Sequence, residues 1–256
     1  MTKYALVTGA SSGIGYEYAV VLAEKGYSLV IVSNEEAVND KAEELRRLFP
    51  QIDVLPVVMD LGRQEAAKEL YDWCHEKRLD VEVLVNNAGV YHDRDFLDDS
   101  AEFTQLILNL HVMTPVMLQY YFGQDMLKCG KGYVLNMSSV TSDYGIQRMS
   151  TYASTKGFLR LFSRSTHIEL KKRGVIVTCV RPGAVATPLY NLNDRVRKAG
   201  LAVGAIIPPR KLAEKGVKAM FRGRHVITPG LFTKVLELVP FLPVWLLKLI
   251  RRWGWF

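Results

Sequence analysis

The chain has 256 residues, 49% hydrophobic and 23% charged, with 33 Lys+Arg against 26 Asp+Glu for a net charge of +7. That profile excludes disordered, collagen-like and disulfide-scaffold classes, and the length suits one large domain. The excess charge is local: residues 195–256 hold 13 Lys+Arg and two acids, Glu214 and Glu237, which is +11 and leaves −4 for the first 194 residues.

Residues 1–4 lead directly into a strand pattern and do not read as a signal peptide. Strands are predicted at 4–8, 28–33, 53–59, 81–86, 132–137, 175–180 and 225–228. Helices are predicted between them at 14–25, 38–48, 63–78, 101–128, 152–173 and 208–222. Most strand runs, such as Leu29-Val30-Ile31-Val32, lack polar alternation, as expected when helices cover both faces of a parallel sheet. The alternation predicts an α/β fold, a Rossmann-like doubly wound parallel sheet of about seven strands, in a single domain over 1–256. Cys74, Cys129 and Cys179 are odd in number and lack metal-ligand spacing, so they read as free thiols in a reducing compartment, and no metal site is expected.

Ligands of such sheets bind beyond the carboxyl ends of the strands, so the residues there carry the functional signal. After the first strand comes Thr8-Gly9-Ala10-Ser11-Ser12-Gly13-Ile14-Gly15, then a helical pattern. Glycines let the chain turn tightly against a pyrophosphate, and the helix start offers free N–H groups to it. Further along lie Asn86-Asn87-Ala88-Gly89, Ser138-Ser139, Tyr152-Ala153-Ser154-Thr155-Lys156 and Pro182-Gly183 with Val185 and Thr187.

These segments, in this order from residue 4 to about 230, resemble the short-chain dehydrogenase/reductase family, in its compact branch. The resemblance implies a catalytic set of Ser139, Tyr152, Lys156 and Asn109. It implies dinucleotide contacts from Gly9, Ser11, Ser12, Gly13, Ile14, Gly15, Ser33, Asn34, Asp60, Leu61, Asn87, Ala88, Gly89, Pro182, Gly183, Val185 and Thr187, with Tyr152 and Lys156 also touching the cofactor. For Asp60, a helix N-cap is the competing reading.

The residue types suit the chemistry. Carbonyl reduction needs hydride at carbon and a proton at oxygen, and a tyrosine can give the proton if its pKa near 10 is lowered. Lys156 stands at i+4 from Tyr152 on a helix, so its charge can do this. A serine at a strand end can hydrogen-bond the substrate oxygen. By resemblance, Lys156 also holds the nicotinamide ribose and Asn109 supports a water-mediated proton relay.

The second strand ends in Ser33-Asn34-Glu35-Glu36, without the aspartate of NAD enzymes or the arginine of many NADP ones. The missing aspartate leans towards NADP(H) over NAD(H), whereas Glu35 or Glu36 reaching back to the ribose would favour NAD. Residues 188–208 correspond to the family's substrate lid and are apolar (Leu189, Tyr190, Leu192, Leu201, Val203, Ile206, Ile207), with Tyr91, His92, Tyr144 and Ile146 expected at the pocket mouth. An acyl, sphingoid or steroid-like substrate follows.

From about 230 to 256 an apolar, basic extension ends in Arg251-Arg252-Trp253-Gly254-Trp255-Phe256. Its composition fits an interfacial anchor, or equally a helix packed on its own domain or on a partner subunit. The run 239–247 is nine residues with two prolines, too short for a span of about 20. The protein is expected to be cytoplasmic, soluble or peripherally membrane-associated, a homo-oligomer, and not a nucleic-acid binder. The leading expectation is an NAD(P)-dependent carbonyl/alcohol oxidoreductase. A non-catalytic dinucleotide-binding regulator and a membrane-associated binding module on the same fold are the alternatives.

Overall fold

The computed structural model describes residues 2–143, 147–187 and 193–236. Seven parallel strands form the central sheet: β1 (Lys3–Thr8), β2 (Ser28–Ser33), β3 (Val54–Val58), β4 (Asp80–Asn86), β5 (Gly132–Met137), β6 (Val175–Val180) and, after two short strands, β9 (Val226–Ile227). Their order is β3-β2-β1-β4-β5-β6-β9. The chain winds outward from β1 to β3, then crosses back to start the other half at β4. The crevice between the carboxyl ends of β1 and β4 is therefore the topological switch point.

Both faces of the sheet are apolar, which is why the strand runs do not alternate. Ala5 and Val7 of β1 point to one side, into a core with Tyr18 and Leu22 of α1 (Gly13–Ala23), Leu45 of α2 (Ala37–Leu48) and Leu212 and Val217 of α8 (Pro209–Phe221). Tyr4 and Leu6 point to the other, against Leu70 of α3 (Ala66–Glu76) and Leu118, Phe122 and Met126 of α5 (Thr114–Cys129). Each fully buried Leu or Phe contributes about 1.5–3 kcal/mol of transfer free energy, so the two cores dominate folding.

One feature differs from expectation and two add to it. The helix predicted over 101–128 is two helices, α4 (Ala101–Leu108) and α5, joined by a wide π turn over Asn109–Met113. Pro115 explains the break: it donates no N–H and its ring crowds the carbonyl four residues back, so a regular α-turn cannot pass through. The segment expected to be lid, 188–208, contains α7 (Asp194–Ala202) and β8 (Ile206–Ile207), and β8 pairs with β7 (Ala184–Val185) just ahead of it. Finally, the chain past β9 starts α9 (Leu231–Leu236), whose Thr233 packs against Gly183. The rest of the extension, with Trp253 and Trp255, lies outside the described residues, as do Tyr144, Ile146, Leu189, Tyr190 and Leu192.

Candidate active site

The glycine turn is built for close approach. Gly9 (φ +67°) and Gly13 (φ +56°) occupy left-handed backbone that other residues rarely adopt. A Cβ on Gly9 would stand 2.8 Å from Ala88 Cα, and one on Gly15 only 2.0 Å from the Gly9 carbonyl. The turn is laced to the segment after β4. Thr8 Oγ1 accepts from the Asn87 and Ala88 amides (2.9 and 3.0 Å), and Asn87 Nδ2 donates to the Thr8 and Gly9 carbonyls (2.9 and 3.2 Å). Helix α1 then begins with Ser12 extended and no side-chain cap, leaving its first-turn N–H groups for an anionic ligand.

These segments wall a cleft of about 410 Å³ at the switch point. Every residue expected to touch a dinucleotide lines it, from Gly9 through Ser33, Asp60, Asn87 and Pro182 to Thr187, together with Tyr152 and Lys156. Glu35, Met59, Leu106 and Leu110 line it as well. At the β2 end, Ser33 Oγ donates to Ser11 Oγ (3.1 Å) and accepts from the Glu35 amide (3.2 Å). Asp60 turns its carboxylate onto the Gly62 amide (2.8 Å), capping the local turn, while α3 starts only after Glu65. The cleft fits a dinucleotide: a Cβ on Gly9, Gly13 or Gly15 would intrude on it or its walls. Thr187 Oγ1, beside Gly13, is buried without a hydrogen-bond partner among the described residues.

The catalytic candidates come together only in part. Tyr152 and Lys156 share a face of α6 (Ser150–Leu170), with Lys156 Nζ 5.5 Å from the Tyr152 ring centre. Nζ donates to the Met137 carbonyl at the end of β5 (3.0 Å), and burial pushes its pKa down to about 8. Ser138 Oγ donates to the Lys156 carbonyl (2.7 Å), tying α6 to the same strand end. Ser139 lies just behind Ser138, the serine that lines the cleft, buried at the start of the following turn, where its Oγ accepts from the Thr141 amide (3.2 Å) and hydroxyl (2.9 Å). With both acceptor positions used, its own proton is left to donate. Asp143 closes that turn by pairing with Arg160 of α6 and Arg181 at the end of β6.

Asn109 does not join them. Its amide donates to the Gly62 carbonyl (3.0 Å) and accepts from Gln105 (3.0 Å), outside the cleft lining. The π turn brings His111 in its place. His111 is 1% exposed, lines the cleft, and packs edge-on against Tyr152 with ring centres 5.7 Å apart. Tyr91 packs edge-on against Tyr152 as well, at 5.3 Å. His92, expected at the pocket mouth, stacks on Phe103 and bonds Asp99 (3.1 Å). Sequence reasoning passed over His111 because a regular helix over 101–128 gives no reason to prefer it to Asn109; Pro115 was the available signal.

Comparison with known proteins agrees with this fold. The chain is 31% identical over 197 residues to a very-long-chain 3-oxoacyl-CoA reductase of Anas platyrhynchos, a match covering 74% of this chain and 62% of the relative. The chain thus spans under two thirds of that relative's length. Among solved structures, a Sphingobium yanoikuyae short-chain dehydrogenase in complex with NADPH superposes with a TM-score of 0.79 at 26% identity, covering 90% of this chain and 89% of the other. The bulky-bulky ketone specific alcohol dehydrogenase of Comamonas testosteroni gives 0.78 at 25% identity, covering 90% and 86%. The family model for short chain dehydrogenases matches residues 3–197, and the chain belongs to that family.

Proposed function

We propose that the protein is an NAD(P)-dependent oxidoreductase that interconverts a hydrophobic ketone and its secondary alcohol, with Tyr152 as the acid–base residue. The observation that carries this is a buried ammonium beside a phenol in the glycine-turn cleft. Lys156 Nζ, 5.5 Å from the Tyr152 ring, is held by the Met137 carbonyl and has no other hydrogen-bond partner among the described residues. When bound, the nicotinamide supplies or accepts the hydride.

The chain's own groups handle the rest. Tyr152 gives its phenolic proton to the substrate oxygen during reduction and takes it back during oxidation. Lys156 stabilises the phenolate by its charge, and its remaining ammonium protons can bind ribose hydroxyls. Ser139 donates to the same substrate oxygen. The glycine turn and the uncapped start of α1 would hold the pyrophosphate, and Thr187 and the Pro182-Gly183 segment the nicotinamide side.

We favour NADP(H). Ser11 and Asn34 offer neutral donors for the second ribose, with Ser33 holding Ser11 in place, and the Sphingobium relative is named with NADPH. Among the described residues no arginine lines the cleft, and Glu35 does, so a 2′-phosphate would be held by hydroxyl and amide donors. The apolar lining (Val90, Leu106, Leu110) and relatives named for 3-oxoacyl-CoA and bulky ketones support a hydrophobic substrate.

The test is a panel of long-chain 3-oxoacyl thioesters, bulky aromatic ketones, steroid ketones and sugars, assayed with NADPH and NADH. Turnover of an apolar ketone that falls at least about 100-fold in Tyr152→Phe, with cofactor binding retained, is expected. Full turnover in that variant would remove Tyr152 from the mechanism, and a preference for sugars would overturn the substrate class.

A further inference from the structure

His111 is a buried residue that the proposed chemistry does not use, and its surroundings are unusually complete. Nε2 accepts from the Val90 amide (3.0 Å), in the segment that follows β4. Nδ1 lies 3.1 Å from Thr155 Oγ1 on α6. Thr155 already donates its hydroxyl proton to the Tyr152 carbonyl (2.8 Å), so its oxygen accepts from His111, and the ring is the Nδ1–H tautomer. One chain of hydrogen bonds therefore runs from the Val90 amide through the imidazole and Thr155 to the backbone of Tyr152.

The seat is made to measure. A Cβ on Gly89 would come within 2.8 Å of Nε2, so a glycine is needed there for the ring to reach Val90. The π turn is what aims residue 111, rather than 109, at this seat.

We propose that His111 is a positioning residue: as a neutral clamp between the post-β4 segment and α6, it holds Tyr152 within reach of the Lys156 charge. A protonated ring would turn an Nε2–H against the Val90 N–H, so the clamp works only uncharged. Burial and the nearby Lys156 charge both oppose protonation. The titratable groups facing the ring are Tyr152 and Lys156 of α6, with Tyr91 of the post-β4 segment packed on Tyr152. Among the described residues no carboxylate contributes.

The proposal rests on Tyr152 as the acid–base residue, and the experiment separates the two. With the best ketone of the panel and its alcohol, the pH profile of kcat/KM is measured for wild type, His111→Leu, His111→Asn and Thr155→Val. In His111→Leu, kcat should fall about 10- to 100-fold with cofactor KM nearly unchanged, and the half-rise of alcohol oxidation should move up by about one pH unit as Tyr152 loses the Lys156 charge. Thr155→Val, close in volume, should show the same shift. His111→Asn, which keeps a donor for Thr155, should recover part of it. Wild-type profiles in both His111→Leu and Thr155→Val would overturn the proposal while leaving Tyr152 in place; loss of activity in all variants with no profile shift would reduce His111 to a packing residue.

A second readout needs no turnover. Long-range proton–nitrogen NMR of the imidazoles should show one buried Nδ1–H tautomer that does not titrate between pH 5.5 and 9 and disappears in His111→Asn. A titrating His111, or an Nε2–H tautomer, would sink the clamp.

Discussion

In Lys156 a stability cost accompanies the proposed chemistry. Its ammonium is buried, and its pKa stands at about 8 against an ordinary 10.5. Between those values the unfolded chain binds the extra proton and the folded one does not, so stability from this group rises as pH climbs from about 8 to 10.5. Below pH 8 the full penalty applies, roughly 3 kcal/mol for such a shift. Lys156→Met should therefore be inactive, yet the cofactor-free protein should be more stable than wild type at pH 7 by roughly 1–3 kcal/mol once the lost bond to Met137 is counted. The gain should shrink towards pH 10. Urea unfolding at pH 7 and 9.5 checks this, and a Met variant less stable than wild type at pH 7 would contradict it. The pairing with Tyr152 was legible in the sequence because i and i+4 on one helix is a local relation. The Val90–His111–Thr155 bridge was not, because it joins three segments whose proximity only the fold creates.

At the scale of elements, each side of the cleft is anchored by contacts between segments distant in sequence. The turn over Val140–Asp143, which carries Ser139 at its base, is held by Asp143 between Arg160 of α6 and Arg181 at the end of β6. The Asp143 and Arg181 side chains are 11% and 5% exposed, so this pair is nearly dry. Removing one partner of such a pair leaves a poorly solvated charge behind, which costs about 3 kcal/mol or more. Asp143→Ala should lower unfolding stability by about that much and reduce turnover by loosening Ser139, while cofactor affinity changes little. Equilibrium unfolding beside cofactor titration checks it; an unchanged unfolding midpoint would mean the carboxylate holds nothing. None of this pairing was legible from charge patterning, since Asp143 lies 17 and 38 residues from its partners. The break between α4 and α5 was hidden for another reason. Apolar spacing at the helical period continues through 101–128, and the one residue that forbids a regular turn, Pro115, looks like any other interruption until the ring of His111 is seen in place.

For the molecule as a whole, strand–helix alternation predicted the sheet because both faces of each strand are covered, and the glycine turn marks the sheet end at which the cleft opens, where the backbone of Gly9 and Gly15 is closely approached. The paired buried amides across the sheet went unseen: Asn86 of β4 sits opposite Asn136 of β5 and donates to it (2.8 Å), with Gln119 and Ser163 completing the network. The cleft divides between the two halves of the sheet, with Gly9, Ser33 and Asp60 on one side and Asn87, Tyr152 and Pro182 on the other. A dinucleotide in it would add a further link between halves already joined by the β1–β4 pairing, the Thr8–Asn87 bonds and the packing of α1 on α8 and of α3 on α5. Binding only to the folded form adds about 2.7 kcal/mol at 100 times Kd. For a chain of this size that is a rise in Tm of roughly 5–10 °C. NADPH should produce that rise at a lower concentration than NADH, and the ratio of concentrations for equal shifts measures the preference directly. Gly15→Ala should abolish the shift with both, because its Cβ would fall 2.0 Å from the Gly9 carbonyl and the turn must open to admit it. An equal shift in that variant would separate thermal stabilisation from the glycine turn. A Tm rise at lower NADH than NADPH concentration would assign the β2 end, through Glu35, to a ribose hydroxyl instead of a phosphate.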